Sequence, residues 1–203
     1  MKIIIAGPPK SGKSCLREGL KQAIRRIPGA PYPYIITACP DGEGAWFQET
    51  AARSPEEARQ LKTEYKKSLG GFSPEFVKRV ADSVRLCSLP LTLVDIGGIP
   101  SPENEQICRY ATHAILLAGD SQEQSWDERL VEWREFCRKL RLRIIAEIHS
   151  DYHGTEDTLP VLGPDGVWRG SVHYLERGEP VWERPTVKAL AEILVRLVAE
   201  EEK

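Results

Sequence analysis

The chain has 203 residues, of which 41% are hydrophobic and 29% charged, and a formal net charge of -2 at pH 7. That length suits one α/β domain, and the near-neutral balance lacks the basic footprint of a non-specific nucleic-acid binder. No apolar run approaches a membrane span, and Met1 leads straight into a β-type segment too short for a signal peptide, so a cytoplasmic protein is expected. The five cysteines (15, 39, 87, 108 and 137) form no C-x-x-C pair and leave one over, which argues against a disulfide framework or structural zinc.

The chain opens on Ile3, Ile4 and Ile5, an apolar β-branched run that reads as a buried parallel strand. It ends in Gly7-Pro8-Pro9-Lys10-Ser11-Gly12-Lys13-Ser14, which fits G-x-x-x-x-G-K-[ST] at every fixed position. A helical pattern follows at once, with Leu16, Leu20, Ala23 and Ile24 on one stripe. Strand, glycine loop and helix together identify a phosphate-binding P-loop. Gly7 and Gly12 let backbone N–H groups turn inward around phosphates, and the helix N-terminus adds positive potential. Lys13 is expected to reach the β and γ oxygens, and the Ser14 hydroxyl to ligate Mg²⁺. Cys15, next in line at the helix N-terminus, is expected to be a small packed residue beside the bound nucleotide, although a thiol there can have its pKa lowered.

The first helix should stop at Pro28-Gly29, and 34–38 reads as the second strand. A loop with Asp41, Gly42, Glu43, Gly44, Trp46 and Phe47 comes next. Ser54-Pro55-Glu56-Glu57 starts a helix reaching about Lys67, basic at its end, that Gly70-Gly71 breaks. Ser73-Pro74-Glu75 starts another, with Phe76, Val77, Val80 and Val84 on one side. Strands are expected over 91–95, 114–118 and 144–148, with a short helix over 102–110 and a long amphipathic one over 122–140. Past Gly154 the pattern turns to short strands, Val167-Trp168 and 171–175, around a Pro164-Asp165-Gly166 turn, and a helix from Pro185 closes the chain. The reading is one α/β domain over 1–203 with the P-loop NTPase fold. Its mostly parallel sheet is flanked by helices, and a small β-rich C-terminal extension forms an appendage from about 154.

The second nucleotide motif is Asp95-Ile96-Gly97-Gly98 at the end of a buried-type strand. Asp95 is placed to serve the outer shell of Mg²⁺, and the Gly98 N–H to approach the γ-phosphate, as in D-x-x-G switches. No glutamate follows Asp95, so the water-activating acid of many AAA-type ATPases is missing. No N-K-x-D follows the fifth strand, which leaves guanine specificity unsupported, and Pro8 occupies the position of the extra lysine in deviant P-loops. Only one clear strand separates the P-loop from Asp95, a spacing closer to the kinase–GTPase division of P-loop folds.

Residues expected near the ligand edge carry weaker signals. Asp41 is the carboxylate best placed to act as an acceptor base if the protein is a kinase, with Glu43 beside it. Thr37 or Thr50 can supply a switch hydroxyl to Mg²⁺. His149, Asp151 and His153 alternate past a strand end, where they line a base pocket, hold a metal, or form a solvated turn. His113 reads as structural. Arg53, Arg59, Arg129 and Arg134 are possible phosphate clamps, though arginines on helices are usually only solvated.

Taken together, ITACPDGEGAWFQET (36–50), LTLVDIGG (91–98), EWREFC (132–137), IAEIHSDYHG (145–154) and GSVHYLERGE (170–179) resemble a bacterial P-loop domain, often labelled AAA. That domain accompanies a family of CRISPR-associated ring nucleases of type III systems, which degrade cyclic oligoadenylate messengers. No second domain that would hold the nuclease is recognised in this chain. The resemblance covers nearly the whole chain. By matching position it implies only the nucleotide site: Gly7, Gly12, Lys13, Ser14 and Asp95.

The function expected is Mg²⁺-dependent binding and slow hydrolysis of ATP, in a regulatory module of CRISPR type III antiviral signalling. Lys13, Asp95 and Asp41 form its reactive set. Expected partners are a nucleoside triphosphate, a ring nuclease or cyclic oligoadenylate pathway component, and a second copy of the chain, with no membrane. The alternatives are a small-molecule or nucleotide kinase using Asp41, and a nucleotide-binding scaffold without turnover.

Overall fold

A computed structural model of the chain describes residues 1–39, 54, 56 and 72–201. Its framework is a seven-stranded sheet in the order β2-β3-β1-β4-β5-β7-β6. The strands are β1 (Lys2–Ala6), β2 (Pro33–Ala38), β3 (Leu91–Ile96), β4 (His113–Ala118), β5 (Arg143–Asp151), β6 (Thr158–Leu162) and β7 (Trp168–His173). All neighbours run parallel except β6 with β7. The described helices are α1 (Lys13–Ile24), α2 (Pro74–Leu86), α3 (Pro102–Cys108), α4 (Val131–Lys139) and α5 (Pro185–Glu201).

Both faces of the sheet are covered, which is why its central strands are apolar throughout rather than alternating. Ile3 and Ile5 pack with Leu16 and Leu20 of α1 and Leu190 and Leu194 of α5. Ile4 and Ala6 point the other way, toward Val77, Val80 and Val84 of α2 and Trp133 and Phe136 of α4. Each of the three isoleucines is fully buried, worth about 1.5–3 kcal/mol apiece. The Ser73 side chain caps α2 by accepting from the Phe76 N–H, and Pro74 occupies its first turn, as the sequence pattern predicts.

Three expectations need correction. The helix expected over 122–140 is shorter: a 3₁₀ turn at Glu128–Leu130 leads into α4 at Val131. Local polar bonds hold the chain before it in a loop, because Ser125 and Glu128 bond reciprocally and Asp120 accepts from the Trp126 N–H. This is a capping box that the long apolar stripe masked. The fifth strand is longer than expected, so His149 and Asp151 belong to β5, paired with Ser171 and His173, and not to a turn past it. The C-terminal hairpin consists of β6 and β7. Its first strand carries Pro160, which argues against a strand except at an edge, and β6 is the sheet's edge. The extension joins the main sheet, since β7 pairs in parallel with β5.

Glu147, 2% exposed on β5, ties α4 to the hairpin. Its carboxylate accepts from Arg134 Nε at 2.6 Å, Arg134 Nη2 at 3.1 Å and Arg169 Nε at 3.0 Å. Arg134 also bonds Asp127, so it is held as a structural brace, neither merely solvated nor free to clamp phosphate. Removing a buried carboxylate from two guanidinium partners is destabilising, but both arginines are partly exposed, which moderates the loss. Glu147→Ala should lower unfolding stability by about 2–3 kcal/mol in urea titration, with no change in the slope of the transition. A loss below about 0.5 kcal/mol, the range of ordinary surface substitutions, would show that the network braces nothing.

Candidate functional site

The site stands at the carboxyl ends of β1 and β3. These strands pair directly, with Ile5 opposite Asp95, so the turn after β1 and the acid at the end of β3 are side by side. Gly7 has φ +147°, and a Cβ there would lie 1.8 Å from the Leu117 carbonyl oxygen of β4. Only glycine lets the chain leave β1 so close to its neighbour. Lys10 and Gly12 also have positive φ, and α1 begins at Lys13 without a side-chain cap. This backbone makes a concave turn ending on an uncapped helix N-terminus, the geometry that receives anions.

Inside the turn, Lys13 Nζ donates to the carbonyls of Gly7 at 2.8 Å and Pro8 at 2.9 Å. Ser11 Oγ donates to the Pro8 carbonyl at 2.8 Å and stiffens the loop. Burial pushes the Lys13 ammonium down from 10.5 to about 8; Asp95 and Cys39 pull it up, while Arg129 lowers it further. The charge is therefore held in a poorly solvated place, with loop carbonyls substituting for water.

Ser14 Oγ donates to Asp95 Oδ2 at 3.0 Å. Asp95 is 4% exposed, and Arg17 Nη1 lies 3.7 Å from the same carboxylate oxygen. Arg17, 1% exposed, is the site residue that sequence reading missed. Its position three residues past Ser14, on the same face of α1, was the available signal. The guanidinium offsets the cost of burying this carboxylate. A hydroxyl and a carboxylate facing each other at a phosphate-type turn are hard oxygen donors suited to Mg²⁺, the hydroxyl as direct ligand and the acid through water. Such an ion would neutralise phosphate charge and orient the terminal phosphate.

Gly98 closes the site on its other side. A Cβ there would meet the Pro9 nitrogen at 2.8 Å, so the D-x-x-G turn rests directly on the turn between β1 and α1. Thr37 lies beside Asp95 in the β2–β3 register, half-buried. Cys15 is buried and packs into the core on the α1 side. Arg129 donates through Nη1 to the Gly119 carbonyl at the end of β4, near enough to influence Lys13.

His149 stacks on Trp126, with ring centroids 5.4 Å apart, and its Nε2 lies 2.9 Å from Asp120 Oδ2. Of the three roles left open for His149, Asp151 and His153, none is marked by a metal-type cluster: among the described residues no group of three or more His, Cys, Asp or Glu side chains is arranged to hold a metal, and His149 is occupied by Trp126 and Asp120. His113 is buried at the head of β4, bonded to Thr112 and Glu201; burial lowers its pKa. Asp41, Glu43, Thr50, Arg53 and Arg59 lie outside the described residues.

No protein family profile and no curated protein matches this chain. Among solved structures, it is similar to a protein described as a plasmid partition protein of Borrelia burgdorferi B31, bound to AMPPNP. The TM-score is 0.58 at 9% identity over 100% of this chain and 98% of that one. A sugar kinase from Janibacter sp. HTCC2649 aligns over 97% and 96% of the two chains at 11% identity, but its TM-score of 0.39 carries no argument. The same holds for a protein described as a kinase from Chloroflexus aurantiacus, at TM-score 0.38 and 13% identity over 100% and 97%. Among the described residues no helix is long and apolar enough to cross a membrane. The chain has an α/β fold of the P-loop NTPase type, with a mostly parallel sheet flanked by helices.

Proposed function

We propose that the protein binds ATP with Mg²⁺ at the turn between β1 and α1, hydrolyses it slowly, and works as a nucleotide-dependent regulatory module. The observation that carries this reading is the Ser14–Asp95 hydrogen bond, 3.0 Å across the mouth of a turn that already holds Lys13 on its own carbonyls. Each group is one that a Mg²⁺-triphosphate needs, and each is satisfied internally by the partner the ligand would replace. Lys13 would exchange two carbonyls for phosphate oxygens, a charge-assisted and stronger contact. Ser14 would turn its oxygen from Asp95 to the cation. The setting in type III CRISPR signalling, with a ring nuclease or cyclic oligoadenylate partner, rests on the sequence resemblance alone, and self-association on the switch reading. The kinase alternative rests on Asp41, outside the described residues.

Lys13→Ala should reduce ATP affinity at least a hundredfold in calorimetry, with circular dichroism unchanged. The wild type should also show a distinctive pH profile. Free Lys13 titrates at about 8, and bound phosphate must raise that value, so the complex holds the proton to higher pH than the free protein. Affinity should be flat below about pH 8 and fall above it, approaching tenfold per pH unit, with proton uptake on binding. Lys13→Arg, charged throughout, should lose this slope. A flat wild-type profile between pH 7 and 9.5 would place Lys13 outside the phosphate contact.

Ser14→Ala and Asp95→Asn should each weaken the Mg²⁺ dependence of binding and turnover more than affinity measured without metal, because both act through the ion. Turnover should release phosphate from ATP with no acceptor added. An unchanged magnesium response in both variants would overturn the metal assignment, and turnover appearing only with an added hydroxyl compound would favour the kinase.

A further inference from the structure

The D-x-x-G turn has few anchors of its own. Between Ile96 and Pro100 the chain has two glycines and Ile99, and the Ile99 side chain is 65% exposed. Apolar burial of that side chain therefore does little to hold the turn. Asn104, on the first turn of α3, holds it instead. Asn104 is 1% exposed, and its Nδ2 donates to the Ile99 carbonyl at 2.7 Å. The residue is fixed in turn by Ser101, whose Oγ accepts from the Asn104 N–H at 3.3 Å as the cap of α3. A Cβ on Gly97 would stand 3.1 Å from Asn104 Nδ2 and 3.5 Å from the Phe72 ring. Phe72 is set edge-on against Phe76 of α2, with ring centroids 6.1 Å apart. The turn thus runs through a gap that suits glycine, with one amide as its polar wall.

The other arm of that amide is unused. Asn104 Oδ1 is buried and has no hydrogen-bond partner among the described residues, an arrangement that is destabilising and rare in folded proteins. It lies 3.7 Å from the point that a Gly97 Cβ would occupy, so it stands beside the turn. The next residue, Gly98, leans on Pro9 of the turn between β1 and α1. We propose that Asn104 positions the 97–99 backbone for the terminal phosphate of the nucleotide. Nδ2 holds Ile99, and Oδ1 accepts a backbone N–H of the turn when the Gly98 N–H is drawn to phosphate. Asn104 touches no ligand and acts through Gly98. The proposal rests on the nucleotide reading above and adds to it the residue by which a triphosphate is told from a diphosphate. Because the turn at 7–14 carries the other phosphates, loss of Asn104 should fall on the triphosphate alone.

Affinities for AMPPNP, used in place of ATP so that no turnover occurs, and for ADP, each with Mg²⁺, test this by calorimetry. The proteins compared are wild type, Asn104→Ala and Asn104→Leu, the last of which keeps the buried volume. Wild type should favour AMPPNP at least tenfold. Both variants should lose most of that preference, while their ADP affinity stays within twofold of wild type. Hydrogen exchange in wild type needs no variant: amides 97–99 should exchange more slowly with AMPPNP than with ADP, since only the triphosphate completes the bonds of the turn. A purely structural role for Asn104 would instead weaken both nucleotides together. That parallel loss, no triphosphate preference in wild type, full preference in a folded Asn104→Leu, or equal exchange in the two states would overturn the positioning role and leave the phosphate site standing. Binding of neither nucleotide by wild type would overturn both.

Discussion

The pairing of β1 with β3 is the constraint on which the site depends. Parallel register sets Ile5 opposite Asp95, and a one-residue slip would turn the acid to the opposite face of the sheet. The register is in turn fixed by burial, because Ile3, Ile4 and Ile5 are enclosed on both faces and cannot shift without exposing a core side chain. A hydrophobic requirement thereby places a charged group to within hydrogen-bonding distance of Ser14. Arg17 completes the arrangement from the adjoining turn of α1, so that a carboxylate 4% exposed is not buried alone.

The resting state of the turn is self-satisfied. Lys13 holds the carbonyls of Gly7 and Pro8, Ser11 holds Pro8, and Ser14 holds Asp95. Groups that would otherwise be orphaned in a partly buried place are paired within the chain, and a ligand must offer better partners to displace them. This favours a highly charged ligand with its own cation over a weak anion. It also accounts for the depressed Lys13 titration, since two neutral carbonyls stabilise an ammonium less well than water does.

Most of the fold was legible because its signals are local. The apolar runs at 3–5, 91–95 and 114–118 are too short and too β-branched for helices, and the Ser-Pro-Glu start of α2 announces its own cap. The tight turn between β1 and α1 was legible for the same reason, with every fixed residue of its motif contiguous. What was hidden involves competition or distance. The apolar stripe through Trp126 and Leu130 suggested one long helix, yet Asp120, Ser125 and Glu128 bind the backbone first. Arg134 carried the composition of a phosphate clamp, and only the sheet reveals that Glu147 claims it. Arg17 belonged to the site through helical spacing, a relation that a contiguous motif does not display. The packing of Leu175 against Gly12 and of Val181 against Gly19 joins chain regions far apart in sequence, which no local pattern displays.

The central claim is that Ser14 and Asp95 hold a divalent cation only when a triphosphate fills the turn. Electron paramagnetic resonance of Mn²⁺, substituted for Mg²⁺, reads this directly. With ATP the protein should immobilise Mn²⁺ and show phosphorus coupling; without nucleotide the ion should remain free, and Ser14→Ala should lose most of the bound signal. Equal Mn²⁺ binding with and without ATP, or an unchanged bound signal in Ser14→Ala, would contradict the account.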